Sequence, residues 1–269
     1  MVEDRMFVNV LRKQHKEVDF DFDYTLNPYQ GCSYGCSECY VQSMFPSVIQ
    51  AKGGWGNFVE IRRRTVEMLE KNKKRLRGKK IFASTATDLW MPEAYKSGLT
   101  RDILEKLVEI DFSLCVLSTR STLLLKDVDL LRKMKGKIEV GISIPTDRID
   151  VTNLLHPHVA TPRGRFNAAK QLKNDGINVR IQMAPCLPYT NHFANLVSDS
   201  AQWLLLDYCS YQSLPYKNLL CENGFGYCLS RDWTRKQFEY FKSVLGENKV
   251  KLGEDYFAWS YDKIQQGYT

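Results

Sequence analysis

No window of this chain approaches the roughly 18 consecutive apolar residues of a membrane helix. Its opening stretch, MVEDRMFVNVLRKQHKEVDF, is charged and has no apolar core, so no secretory leader is expected. Internal repeats and low-complexity tracts are absent too, which sets aside solenoid and fibrous architectures. Charge of one sign is not dominant: 38 Lys and Arg stand against 31 Asp and Glu, a net +7. That mild bias is compatible with a polyanionic partner but does not call for one. What is left is a chain of 269 residues, 43% hydrophobic and 26% charged, which is ordinary for a globular protein. It can bury a proper core as one large α/β domain or two small ones. A cytoplasmic location is expected.

Eight cysteines are present. In a reducing compartment they do not form a disulfide framework, so metal binding or catalysis is the better reading of a cluster. Three of them fall together in NPYQGCSYGCSECYV (27–41): Cys32, Cys36 and Cys39, spaced C-x3-C-x2-C. A structural zinc site normally takes four protein ligands in C-x2-C pairs. Here one C-x2-C and one C-x3-C share a cysteine, and no histidine stands near. Three thiolates can instead hold a [4Fe–4S] cluster by three of its irons, leaving the fourth to bind a small molecule. Gly31 and Gly35 let the loop wrap closely, because glycine tolerates φ > 0. A zinc loop, or three buried thiols, are the alternatives.

From about residue 80 the chain alternates strand and helix signals. KKIFASTATD, FSLCVLSTRS, KIEVGISIPT, INVRIQMAPCLP and WLLLDYC read as strands. TRDILEKLVEI, LLLKDVDLLRKM, the segment from about Thr161 to Asp175, HFANLVSDSAQ and SRDWTRKQFEYFKSVLG read as helices, the third and last closed by Gly176 and Gly246. With DYTLNPY before the cysteines this gives about six strands, apolar through their middles, in βαβ units of a parallel sheet. The fold class is therefore α/β, a partial (β/α)6 TIM-like barrel with a short C-terminal extension. The polar strand ends STATD, STRS, SIPTD and MAPC would ring one face. Expected boundaries are 1–22 for an N-terminal extension, 23–210 for the barrel core and 211–269 for a C-terminal extension that completes or caps it.

The cysteine loop after a first strand resembles the radical S-adenosylmethionine (radical SAM) superfamily. LNPYQGCSYGCSECY is similar to the signature of the branch related to spore photoproduct lyase, often labelled DNA-repair-photolyase-like. The likeness continues through WGNFVEI, ASTATD, VLSTRSTLLLKDVDLL, EVGISI and MAPCLPYTN, covering about residues 25 to 195. The resemblance implies an enzyme whose [4Fe–4S] cluster, on Cys32, Cys36 and Cys39, chelates S-adenosyl-L-methionine and cleaves it reductively to a 5′-deoxyadenosyl radical that takes hydrogen from a substrate. It implies a reductant such as flavodoxin or ferredoxin. The substrate is a small molecule or peptide, with a nucleic acid as the alternative; a non-catalytic iron–sulfur or metal-binding protein is the reading from another class. The protein would be a monomer or homodimer with no membrane contact.

Further roles follow from the same likeness. Ser84, Thr85 and Thr87 would meet the methionine amino group, with Asp88 closing the network; the rival is a turn in which hydroxyls satisfy backbone groups. Ser118 and Arg120 would lie near the methionine carboxylate, which a guanidinium can grip through two hydrogen bonds. Ser143 would touch the ribose, Arg165 the cofactor or the sheet, and Met183 with Ala184 and Pro185 the adenine. Two departures stand out. Glu38 replaces the usual aromatic before the third cysteine, leaving Tyr34 or Tyr40 to cover the adenine. Thr85 stands where the lyase carries its hydrogen-donating cysteine, and a hydroxyl O–H is too strong to serve. Of the remaining cysteines, Cys115 reads as a buried hydrophobe. Cys186 and Cys209 follow the fifth and sixth strands; either could have a radical role, or with Cys221 and Cys228 hold a second iron–sulfur cluster. The basic run RRRTVEMLEKNKKRLRGKK (62–80) reads as an outer helix or a phosphate-binding face. His156 and His158 read as loop residues with no second metal site. YCSYQSLPYKNL and DYFAWSYDK, rich in tyrosine, line a pocket, stack on bases or simply pack.

Overall fold

The structure, a computed structural model, describes residues 2–4, 10–14, 21–209 and 213–254. DYFAWSYDK, residues 210–212 within YCSYQSLPYKNL and much of the N-terminal extension lie outside them.

Among the described residues the strands, in chain order, are β1 (Val2–Asp4), β2 (Leu11–Lys13), β3 (Tyr24–Leu26), β4 (Tyr29–Gln30), β5 (Val59–Ile61), β6 (Lys80–Ala83), β7 (Leu114–Thr119), β8 (Ile138–Ser143), β9 (Asn178–Met183), β10 (Trp203–Leu206) and β11 (Val250–Leu252). The main sheet runs β11-β10-β9-β8-β7-β6-β3-β2, and β1-β5-β4 form a separate small sheet. From β3 to β10 every neighbour is parallel, the six strands expected from the sequence. Two edges were not foreseen: β11 adds in parallel beside β10, and β2 pairs antiparallel with β3. Segments assigned to both extensions thus enter the main sheet. β2 and β11 are only three residues each, too short to show an alternation.

Helices return each strand to the next, and the sequence marks their ends. Helix Pro162–Asn174 starts with proline in its first turn, and the Thr161 hydroxyl accepts from Gly164 N at 3.2 Å. Such a cap contributes about 1 kcal/mol. Helix Arg231–Leu245 is capped by Ser230, which accepts from Asp232 N. Helix Leu99–Val108 buries Leu99, Ile103, Leu104 and Leu107 on one face. The basic run forms helix Thr65–Leu76, whose Leu69 and Leu76 are buried, while Lys73 pairs with Glu109 and Glu70 with Lys106 of the adjoining helix. It is an outer helix with much of its charge locally answered. LLLKDVDLLRKM divides into a 3-10 turn, Leu123–Asp127, and helix Val128–Lys133. Helices Ile149–Leu155 and Leu214–Glu222 were not expected; both are short segments of weak periodicity.

Leu26, Ile81, Cys115, Val140, Ile181 and Leu204 are fully buried, so the strands' middles make the core. One polar group stands among them. Arg180 on β9, fully buried, pairs with Glu139 on β8 and donates to Ser118 Oγ on β7 at 3.3 Å. A Cβ at Gly141 would lie 2.8 Å from the Arg180 guanidinium, so glycine makes the room this pair occupies. No described helix is long and apolar enough to cross a membrane.

Candidate functional site

The C-terminal ends of the parallel strands open onto one cavity of about 240 Å³. The cysteine loop forms one wall. Cys39 N donates to Cys36 O at 3.2 Å and Gly35 N to Cys32 O at 3.3 Å, so two successive turns bring the three cysteines to the cavity. At Gly31, φ is +78° and a Cβ would meet Phe58 O at 2.3 Å; glycine is needed twice over, for conformation and for space. Burial pushes the Cys36 thiol up to about 11 and Cys39 up to about 12, with Cys32 also well above its ordinary value. Cys36 adds to the rise at both neighbours. A cationic centre bound there would offset this by taking the thiolate forms.

The strand ends supply the rest of the wall. Ser84, Thr85, Thr87 and Asp88 follow β6, Ser118 and Arg120 end β7, and Ser143 ends β8; all line the cavity, as do Tyr34 and Tyr40. Their partners differ. Thr85 Oγ1 accepts from Asn27 Nδ2 at 2.7 Å, and Tyr40 OH donates to Thr85 O, so Thr85 serves the turn. The buried hydroxyls of Ser84 and Thr87 have no partner among the described residues. Asp88 accepts from Trp90 N, Thr119 Oγ1 and Arg120 N, at 2.6 to 2.8 Å, and so ties the end of β6 to the end of β7. Tyr34 OH donates to Trp90 O at 3.2 Å.

Glu38, the odd residue of the loop, is buried. Its Oε1 accepts from His156 Nε2 at 2.6 Å and from Arg120 Nη2 at 2.9 Å. Burial pushes its carboxyl up, but His156 and Arg120 outweigh this and hold it down at about 2. Burial lowers His156 while Glu38 opposes that shift, and because a carboxylate oxygen can only accept, Nε2 is the donor. His156 was expected as an ordinary loop residue; it is fully buried, and Cys36, Glu38 and His156 offer ligand atoms within 4.8 Å of one another. His158 is exposed.

Arg165 is also fully buried. It donates Nη1 to Ser143 O, while Nε and Nη2 have no hydrogen-bond partner among the described residues. Burial first, and then Arg120, bring it down to about 9. Arg120 Nη1 is likewise buried without a partner among the described residues. Two guanidiniums with spare donors beside three thiols are what an anionic thiolate-bound iron–sulfur cluster and a ligand carboxylate would satisfy. A lone divalent cation on Cys36, Glu38 and His156 would leave Cys32 and Cys39 unused and would stand beside the Arg120 guanidinium, so it fits less well. The residues present therefore fit a [4Fe–4S] cluster with a zwitterionic ligand.

The rest of the cavity's lining was less fully anticipated. Gln182, Asp207, Tyr208 and Cys209 belong to it at the ends of β9 and β10, with Ala184 and Pro185, and Trp55 belongs to it beside the cysteine loop. Burial pushes Asp207 up to about 7 and the Cys209 thiol up to about 12. The signal for Gln182 and Asp207 was present: each is a polar residue at the end of an apolar run, the pattern that marked the other strand ends. Met183 is fully buried and is not among the lining residues. Cys186 also lies behind the wall, with Sγ 3.6 Å from Met183 Sδ and its carbonyl accepting from Trp233 Nε1 at 3.1 Å. Of the four cysteines considered for a second cluster only Cys209 lines the cavity; Cys228 is buried and Cys221 exposed. Cys115 is buried mid-strand, as expected.

No protein-family model matches the chain. It is 29% identical over 240 residues to an uncharacterized protein of Acidianus two-tailed virus, spanning 86% of this chain and 74% of that one. It is 31% identical over 165 residues to an uncharacterized protein of Methanocaldococcus jannaschii, spanning 61% of each. A spore photoproduct lyase variant with bound AdoMet and dinucleoside spore photoproduct has a similar structure: TM-score 0.63, 15% identity, 93% of this chain and 80% of that one. Streptococcus suis SuiB bound to S-adenosylmethionine gives TM-score 0.51 at 13% identity, over 85% of this chain and 45% of that one. The fold is thus that of spore photoproduct lyase and related radical SAM proteins.

Proposed function

We propose that this chain, built on the radical SAM fold, is a radical SAM enzyme. The observation that carries the reading is the joint placement of Cys32, Cys36, Cys39 and Arg120 on one cavity, with Arg120 Nη1 lacking a partner among the described residues and Arg165 buried near Cys36 behind them. Bound there, a [4Fe–4S] cluster and S-adenosyl-L-methionine would supply a 5′-deoxyadenosyl radical for hydrogen abstraction. The chain's own residues have separate tasks. The three cysteines anchor the cluster. Arg120 offers Nη1 to the methionine carboxylate, while its backbone is held by Asp88. Ser84 and Thr87 offer hydroxyls to the amino group. Arg165 supports Ser143 from behind, and Tyr34 and Tyr40 close the loop side.

The substrate is read as a small molecule or peptide entering beside Gln182, Asp207 and Cys209. Two features favour this over nucleic acid. The Thr85 hydroxyl takes the place of a donor thiol, and the basic helix Thr65–Leu76 has Lys73 paired with an acid and Glu70 with a lysine. Cys186, Cys209, Cys221 and Cys228 enter as thiols or as ligands of a second cluster. About four irons per chain would oppose that cluster and about eight would support it.

The test is anaerobic incubation of reconstituted, dithionite-reduced protein with S-adenosyl-L-methionine. 5′-Deoxyadenosine should form above the no-enzyme control, and Cys36→Ala should abolish it. An undiminished yield from that variant would refute the assignment.

A further inference from the structure

Glu38 sits between two of the three thiol anchors, where a neutral side chain would leave the neighbouring guanidiniums unanswered. Its carboxylate is held by a chain of contacts rather than by one. Ser37, next to it, gives both its N–H and its hydroxyl to Leu155 O, at 3.4 and 2.9 Å. His156, next to Leu155, gives Nε2–H to Glu38 Oε1 at 2.6 Å. The loop is thus fastened at two adjacent residues to the segment that follows β8. The same Oε1 takes Arg120 Nη2 at 2.9 Å, with the Glu38 side chain 5% exposed and that of His156 fully buried. Arg165, fully buried, adds a second positive group near Cys36.

The consequence is electrostatic. A reduced cluster carries one more negative charge than an oxidised one, so nearby guanidiniums favour reduction and a nearby carboxylate opposes it. In a dry site these charges are weakly screened. Two arginines alone would make the cluster easy to reduce and a poor electron donor. We propose that Glu38, anchored by His156, is a positioning residue that fixes Arg120 and keeps the cluster's reduction potential low, so that it remains a strong one-electron reductant. The inference rests on the radical SAM reading.

The experiment is a mediated dithionite titration, followed by electron paramagnetic resonance, of reconstituted wild type, Glu38→Gln, Glu38→Asp and Arg120→Met, all without S-adenosyl-L-methionine. Iron content and thermal melting are measured on each. Glu38→Gln should move the midpoint potential upward, Arg120→Met downward, and Glu38→Asp should stay nearer the wild type than Glu38→Gln. A purely structural role would lower iron content or melting temperature without opposite shifts. If Glu38→Gln does not fold, Glu38→Asp still decides the matter: its retracted carboxylate should give a small upward shift, and no shift at full cluster content overturns the proposal. Full cluster content with unchanged potentials, or shifts of the same sign, overturns the proposal. A wild-type chain that takes up no iron overturns instead the reading beneath it.

Discussion

Two fully buried arginines lie at different levels of the barrel and have opposite surroundings. Arg180, among the strand middles, is answered inside the chain by Glu139, with Ser118 beside it. Arg165, at the strand ends, has one backbone carbonyl, while its Nε and Nη2 have no hydrogen-bond partner among the described residues. A buried charge with an internal partner is a structural device. On the proposed reading, a buried charge with spare donors near Cys36 is half of an interaction that the cluster and its ligand would complete. The contrast extends to the rim, where Ser84, Thr87, Glu38 and Arg120 also keep buried polar atoms without hydrogen-bond partners among the described residues.

The largest effect should come from breaking the internal pair. Arg180→Met leaves Glu139 without its buried partner and should cost about 3–5 kcal/mol, read by chemical denaturation. Arg165→Met should do the reverse in iron-free protein, raising stability by about 1–4 kcal/mol because an incompletely compensated charge is removed. In loaded protein the same change should weaken S-adenosyl-L-methionine binding by about tenfold or more, measured by equilibrium dialysis. Equal losses of stability in both variants would erase the distinction between the two levels.

Asp207 sharpens the comparison through pH. Its ordinary value is 3.8 and burial raises it to about 7, so the folded chain holds a proton that the unfolded chain releases. Stability should therefore be greatest below about pH 4 as far as this group is concerned, and fall as pH rises toward about 7. Asp207→Asn should flatten that part of the profile; an identical slope in both proteins would contradict it. The smallest effect is expected from Thr87→Val. Its unpartnered hydroxyl contributes nothing to the iron-free fold, so stability should change by less than about 0.5 kcal/mol, while affinity for S-adenosyl-L-methionine falls up to about tenfold.

The barrel was readable because βαβ units write two periods into the chain and strands covered on both faces stay apolar. The short edge strands β2 and β11 and the small sheet carry too few residues for either signal. The cysteine loop was readable because metal chemistry fixes local spacing. Glu38 with His156 was not, since 118 residues separate the partners and only the folded chain brings them together. Arg165 was visible as an arginine in the right helix, but its missing carboxylate partner is a fact of three dimensions. Gln182 and Asp207 obey the same rule of polar strand ends that marks Ser84, Ser118 and Ser143.

The most direct measurement is the metal content and spectrum of protein reconstituted under anaerobic conditions. At least about four irons and about four sulfides per chain are expected, with a reduced-state magnetic resonance signal that changes when S-adenosyl-L-methionine is added. One zinc per chain in their place, or a cluster signal that ignores S-adenosyl-L-methionine, would contradict the radical SAM reading.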